Sequence, residues 1–563
     1  MPEWLSRPDP IHDYAFAALL ILALVMPRLG DGIFAPVERW GTCLANRKSL
    51  AIISAGVAAI LLRLSLAPFG PLVPVPHVHD EMSYLLAADT FAHGRLTNPA
   101  HEQRIFLDTI HVNQVPTYMS KYPPAQGAVL ALGQLLGSPW IGVLLSVAVM
   151  CALIVWMLQA WMPARWALLG GVLVVLRFAA GNYWIDSYWG GAVAAAGGAL
   201  VLGALPRIFH RQLPRDAVLL GVGTAILANS RPFEGLFFCL PIAVVLLAWL
   251  AGKRSPSPRV RMTRVVTPLV AVLIVTGLFI GYYNWRLTGH ALLFPYVLNN
   301  ETYSSTPNFV WQNLRPSLHY ANAQFDEYYN DWMHSIFVQT RFDGLRSGLA
   351  HEFQSKVLAF QKYFLPIEYL LPLAAALPWL IRDRKFWRLF APAAACFAAL
   401  TTVVWFEPHY AAPLLAALVA ILVQALRHLR RLEWRGRAIG VGLTRAVVVF
   451  ALASTPFRIA ASFREAAADR SIQQMAYRER FLKQLGRTPG EHLVLVNYND
   501  GHDVGQEWVY NRADIDGAKV VWVREVPGVD TGEVLAYFGA RSLWRVDADG
   551  DPPQLVLVRK APS

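Results

Sequence analysis

Residues 49–84 read SLAIISAGVAAILLRLSLAPFGPLVPVPHVHDEMSY, and this stretch decides the fold. Residues 49–68 form one apolar run. A helix needs roughly 20 such residues to cross about 30 Å of hydrocarbon. The run stops at Pro68-Phe69-Gly70, passes through a Pro-rich stretch to Pro76, and opens onto His77-Val78-His79-Asp80-Glu81-Met82-Ser83-Tyr84. An apolar span thus ends in a mouth of ionisable groups. Working outward, similar runs lie at 13–28, 138–161, 165–181, 188–206, 216–230, 233–251, 265–284, 366–381, 388–406, 409–426 and 438–455. With the first, they predict about twelve spans. The 13–28 run is short, and an interfacial helix is its alternative reading. Composition agrees: 55% of residues are hydrophobic, 16% are charged, and the mean hydropathy is +0.36. A soluble chain carries about 25% charged residues.

The basic residues set the predicted orientation. If Arg47 and Lys48 are cytoplasmic, the same side receives Arg207, Arg211 and Arg215, then Lys253, Arg254, Arg259, Arg261 and Arg264. It also receives Arg382, Arg384, Lys385 and Arg388, and Arg427, Arg430, Arg431, Arg435 and Arg437. Every strongly basic short turn falls on one side, as the positive-inside rule requires. The net charge of +12 is therefore a topology signal and not a nucleic-acid footprint. The opposite side receives the long segments 69–137 and 285–365 and the tail from 456. Cys43, Cys151, Cys239 and Cys396 all lie outside those external segments, so no disulfide is expected. Glu3, Asp9 and Asp13 precede the first apolar run without a basic n-region, so the N-terminus does not read as a signal peptide. No internal repeat is evident.

In the first external loop, residues 82–93 read as a helix with an apolar stripe at Tyr84, Leu85, Ala88 and Phe91. Asp80 falls at or just before its N-terminus. Two readings stand. Asp80 caps the helix, where free amides and the helix dipole favour a carboxylate. Alternatively, Asp80 and Glu81 are an adjacent pair, each raising the other's proton affinity, and one serves as a general base.

The Asp-Glu pair after a span, a following helix with Tyr84, and the turn His93-Gly94-Arg95-Leu96 together resemble the GT-C glycosyltransferases. The nearest groups are the protein O-mannosyltransferases and the bacterial aminoarabinose transferases. Ser120-Lys121-Tyr122-Pro123-Pro124, ahead of a helical stretch, is similar to the Lys/Pro-Pro segment of that class. The resemblance covers residues 48–250 with some specificity and the rest by architecture. It implies a polytopic α-helical GT-C-like fold and a sugar carried on a polyprenyl phosphate. It makes Asp80 the base, Glu81 an auxiliary carboxylate, Lys121 a phosphate ligand, and Tyr84 and Tyr122 substrate-binding residues. A divalent metal is possible in aminoarabinose-type relatives. His77, His79, His101 and His111, with Asp80, Glu81, Glu102 and Asp108, crowd the loop, but their spacing matches no established metal motif. His79 and His101 are the metal candidates, and solvated loop histidines are the plainer reading.

Three external span ends carry further candidates. Asp186, between Tyr183 and Tyr188, either lines a sugar site or belongs to an interfacial aromatic belt. Arg231 either pairs with Glu234 or holds a phosphate. Glu407, His409 and Tyr410 sit where GT-C relatives place donor contacts, or form a Pro-shaped hairpin.

Residues 285–365 are too long for a passive connection and are rich in Tyr, Asn and Trp, as in Glu327-Tyr328-Tyr329-Asn330-Asp331-Trp332. They suit a lid or an acceptor-binding surface. The tail reads as a helix at 457–486 followed by short strands at 492–496, 519–523, 542–546 and 555–558. The expected division is a transmembrane part, 1–455, and a small C-terminal α/β extracytoplasmic domain, 456–563. The turn 499–503 is a weaker ligand candidate. The expected function is transfer of a sugar from a polyprenyl-phosphate donor to a lipid, glycan or protein acceptor, at a bacterial inner membrane with the site facing the periplasm. Alternatives are a lipid or glycan transporter, and a glycan polymerase or ligase without an Asp-Glu base. No nucleotide-binding fingerprint is present.

Overall fold

The computed structural model describes residues 10–252, 256–340, 353–499 and 501–562. Glu3, Asp9, Lys253, Arg254, Asp500 and the 341–352 part of the long loop lie outside them. Each apolar run named above overlies a helix. Among the described residues, seven helices are long and apolar enough to cross a membrane: Lys48–Phe69, Pro139–Trp161, Ala192–Arg211, Pro232–Ala251, Pro258–Thr288, Pro408–Leu429 and Ile439–Ala468. The pair Gln354–Phe364 and Ile367–Arg382, bent by 97°, makes an eighth if counted as one span.

The expected count of about twelve is not reached on length and composition. Pro10–Val25, Ala164–Phe178, Pro214–Ala228 and Arg384–Leu400 hold 16, 15, 15 and 17 residues. At 1.5 Å per residue they cover about 22–26 Å, short of the hydrocarbon core. Hydropathy counts apolar residues and misses where helices are cut. Pro163 caps one of these helices, Pro214 opens another, and Gly181 leaves the helical region at φ 57°.

Apolar surface on the outside of the bundle requires lipid. Pro258–Thr288 has a mean hydropathy of 2.3 with only 6% of its apolar window buried. An exposed apolar stripe of that length has no stable place in water. The chain is an integral membrane protein.

The bundle has two chemically distinct ends. At one, Gln159 donates to the Lys48 carbonyl, Lys385 donates to the Trp161 carbonyl, and Arg430 pairs with Glu38 at 2.8 Å. The basic turns thus gather together. At the other end sit the first loop and the tail. The loop carries a small antiparallel sheet of β1 (Asn98–Pro99), β2 (Val112–Asn113) and β3 (Thr117–Ser120), in the order β1-β3-β2.

The tail forms β4 (His492–Asn497), β5 (Val520–Arg524), β6 (Ser542–Asp547) and β7 (Leu555–Arg559), in the order β5-β4-β6-β7. β4 runs parallel to β5 and β6, and β7 closes the edge antiparallel. β5 is wholly buried and β4 nearly so, which is why both read as unbroken apolar runs. The sheet does not keep a core to itself. Leu493, Val494, Trp508 and Trp522 share one cluster with Met82, Leu86, Phe106 and Tyr118 of the first loop. The Ile439–Ala468 helix also runs unbroken through the division expected at 455.

Candidate active site

The loop helix predicted at 82–93 spans His79–Ala92. Glu81, in its first turn, reaches back over the N-terminus. Its carboxylate accepts from the backbone N–H of His77 (2.8 Å), Val78 (3.3 Å) and Tyr188 (2.9 Å). Glu81 is fully buried and takes the back-reaching role of a capping box. Glu81 is thus bonded to backbone and does not line the cavity beside it. Asp80 is left free of capping.

That cavity holds about 1420 Å³. It is lined by His79, Asp80, Tyr84, Lys121, Tyr122, Arg231, Glu407 and Tyr410, among others. Two close approaches set its walls. A Cβ on Gly127 would lie 2.6 Å from the Ala87 side chain, so the Pro124–Leu135 helix packs directly on the Asp80 helix. A Cβ on Gly198 would meet the Pro413 carbonyl at 2.1 Å, so the turn carrying Glu407 and Tyr410 rests on the Ala192–Arg211 helix.

Around Asp80 the hydrogen bonds form a chain. The Tyr122 hydroxyl donates to Asp80, and its ring stacks on Tyr84 at 4.5 Å. His111 Nε2 lies 3.7 Å from the other Asp80 oxygen and 3.3 Å from the Tyr328 hydroxyl. Lys121 Nζ lies 2.7 Å from His111 Nδ1. A protonated lysine only donates, so Nδ1 accepts and the neutral imidazole carries its proton on Nε2, toward Asp80 and Tyr328. Burial, then the charge of Lys121 and of His79, holds the His111 ring well below the usual histidine range, which agrees with that neutral form.

His111 was not singled out as a site residue by sequence. It is a non-glycine residue at φ 67°, and its carbonyl is fixed by Ser83 Oγ (2.7 Å) and the Lys121 N–H (3.2 Å). Such over-determined backbone is a feature of functional sites. No sequence signal marks it.

Two cations and an acid complete the set. Burial lowers Lys121 to about 8, against the raising field of Asp80. Arg231 lies over the Tyr410 ring at 4.2 Å. Among the described residues its guanidinium has no hydrogen-bonded or ion-paired protein partner, so the pairing with Glu234 considered above does not form. Burial, reinforced by Asp80 and opposed by Arg231, raises Glu407 to about 8. At neutral pH Glu407 is therefore mainly a protonated carboxyl, able to donate a hydrogen bond.

Besides Glu81, three sequence candidates lie outside the cavity. Asp186 pairs with Arg63 at 2.8 Å and accepts from the Asn182 N–H, a structural role that a buried span arginine imposes. His409 is buried one layer back, bonded to Tyr183 and packed on Trp189. His101 is turned toward Asp516 at 3.2 Å. His79 lines the cavity, but its ring is held by the Tyr510 hydroxyl (2.8 Å) and the Val504 carbonyl (2.7 Å). Neither His79 nor His101 has the surroundings of a metal ligand. Among the described residues no three His, Cys, Asp or Glu side chains converge as a metal site. Sequence reasoning also gave little weight to the tail here, yet Asp503, Val504 and Gly505 form part of the cavity wall.

No family model and no curated protein matches the chain. Solved structures do. ArnT from Cupriavidus metallidurans bound to undecaprenyl phosphate aligns with a TM-score of 0.49 and 13% identity, over 88% of this chain and 92% of that one. The same protein in the apo state gives 0.48 and 12% over the same shares. The archaeal oligosaccharyltransferase AglB from Archaeoglobus fulgidus, in complex with an inhibitory peptide and a dolichol-phosphate, gives 0.46 and 11%, over 88% of this chain and 69% of that one. Both proteins have the GT-C fold that the first loop resembles. At TM-scores below 0.5 the likeness is one of general course, and neither a site nor a substrate follows from it.

Proposed function

We propose that this protein is a membrane glycosyltransferase of GT-C type that moves a sugar from a polyprenyl-phosphate donor to an acceptor hydroxyl. One observation carries the reading. Asp80, free of capping duty, shares a cavity with Lys121 and Arg231, and Arg231 has no hydrogen-bonded or ion-paired partner among the described residues. A phosphate leaving group needs such cations where its charge develops. Arg231 offers a planar fork of donors and Lys121 a mobile point charge. Asp80 takes the proton of the acceptor hydroxyl. The hydroxyl oxygen attacks the anomeric carbon from the face opposite the phosphate. The bond between that carbon and the phosphate oxygen breaks, its electron pair leaves with polyprenyl phosphate, and the anomeric centre inverts. Tyr122 orients Asp80, and the Glu407 carboxyl donates to a substrate oxygen. Tyr84 and Tyr410 provide aromatic walls.

The polyprenyl-phosphate class is the one that the first-loop resemblance implies. The cavity lies at the end of the bundle away from the basic turns. By the positive-inside rule that end is extracytoplasmic, periplasmic in a bacterial inner membrane. Membrane lipid surrounds the donor's tail, and nucleic acid has no part.

The test is turnover of a panel of polyprenyl-phosphate sugars by purified wild type and Asp80→Asn, with folding checked for both. Release of polyprenyl phosphate by wild type and its loss in the variant support the reading. Equal activity in both removes Asp80 as the base. Inactivity of wild type across the panel, with transport of an intact lipid-linked sugar in vesicles, replaces the transferase with a transporter.

A further inference from the structure

The cavity is larger than the roughly 300–1,000 Å³ that a single small-molecule site occupies. Five basic side chains line it, Lys121, Arg231, Arg315, Lys356 and Lys362, and part of its wall is aromatic. Tyr328, Trp332 and Trp405 form a ladder of near-parallel rings, with centroids 5.1 Å apart at 28° and 5.6 Å apart at 20°. All three line the cavity, and their offset leaves Trp332 45% exposed. The ladder begins at the proposed base, since the Tyr328 hydroxyl shares His111 Nε2 with Asp80. Lys121 sits on the opposite nitrogen of the same ring. The two nitrogens of His111 thus separate a phosphate side from an aromatic side.

Resting on the transferase reading above, we infer that the ladder Tyr328–Trp332–Trp405 is an acceptor subsite and that the acceptor is a saccharide. An aromatic ring presents a negative face, and the C–H face of a sugar ring packs against it. The sugar's hydroxyls then need acceptors and amides at the edge of the stack. Glu301, Gln312 and Asp503 line the same cavity and supply these groups. The rungs come from two loops outside the spans, the Glu327–Trp332 turn and the segment before Pro408. Trp332 lies between the other two rings, so a sugar packs on its exposed margin and on Trp405, in the same cavity as Asp80.

The test is a tryptophan-fluorescence titration of the purified full chain, without donor. The probes are α- and β-linked oligosaccharides of glucose, galactose, mannose and arabinose, from disaccharide to hexasaccharide. One arm uses them free in solution and a second uses them attached to a lipid carrier in nanodiscs, which separates a polysaccharide acceptor from a glycolipid one. The expected result is saturable binding of at least one series in either arm. Trp332→Leu and Trp405→Leu, each checked for folding by thermal melt, should weaken it at least tenfold. The proposal is overturned if no series changes the emission, if both variants titrate like wild type, or if a Ser/Thr peptide saturates the signal in place of a saccharide. Because no donor is present, loss of the transferase reading leaves this titration intact. Loss of the saccharide reading leaves donor turnover intact.

Discussion

Lys121 and Glu407 predict a steep alkaline limb in the activity profile. Lys121 is lowered from 10.5 to about 8 and Glu407 is raised from 4.5 to about 8. The function assigned to each uses the protonated form, a cation on the donor phosphate and a hydrogen-bond donor on a substrate oxygen. Both are therefore competent below pH 8 and are lost as pH rises through it. A group titrating at about 8 is roughly 0.9 protonated at pH 7 and roughly 0.1 at pH 9. If both protons are required, the rate at limiting donor falls on the order of 100-fold between those values; if one is required, about 10-fold. The phosphodiester of the donor does not titrate in this range. The assay is initial rates at sub-saturating donor from pH 6.5 to 9.5 in detergent. Lys121→Arg keeps its charge throughout and should remove one step of the limb. Glu407→Gln keeps a donor without an ionisation and should remove the other. A wild-type profile that is flat through pH 8, or a Lys121→Arg Glu407→Gln double variant that keeps the full limb, refutes the reasoning.

Other substitutions separate binding from architecture. Arg231→Met should raise the donor KM about 10- to 100-fold by removing a charge-assisted contact of about 1.5–3 kcal/mol, with a smaller change in melting temperature; an unchanged KM removes it from the phosphate site. Glu81→Ala strands the amides of His77, Val78 and Tyr188 and should cost on the order of 3 kcal/mol of stability, read as a lower thermal midpoint. If it instead melts like wild type and loses turnover, Glu81 is catalytic after all. Arg63→Met leaves the half-buried Asp186 without its partner and should destabilise by about 1–3 kcal/mol, while Arg63→Met with Asp186→Asn recovers much of the loss; a double variant no better than the single would sink that pairing.

Legibility followed the range of the interactions. The helices follow from apolar runs, because lipid leaves a local signature in composition. β4 and β5 follow from Val-rich runs, because a strand buried on both faces is apolar throughout. Arg231 and Glu407 were readable as candidates because each sits at a span end, where a charged group is conspicuous, and Asp80, Lys121 and Tyr122 were readable through the motifs that carry the resemblance. Contacts between distant segments were not readable. Nothing near Asp186 announces that Arg63 will claim it, and nothing near Glu81 shows the Tyr188 amide waiting above it. His111 hides its left-handed backbone behind an ordinary side chain. The span count is not reached by length for a related reason: hydropathy windows do not register the prolines and glycines that shorten a helix.

The wall built from Asp503, Val504 and Gly505, and the grip of Tyr510 and Val504 on His79, bear on how the molecule comes into being. Chains are made from the N-terminus. The helix bearing Asp80 is delivered early, while the residues that finish its surroundings emerge only when most of the polypeptide has been made. A prematurely terminated product would be inserted in the membrane with an incomplete reaction chamber. The cavity is thus closed only by the last part of the chain to be made.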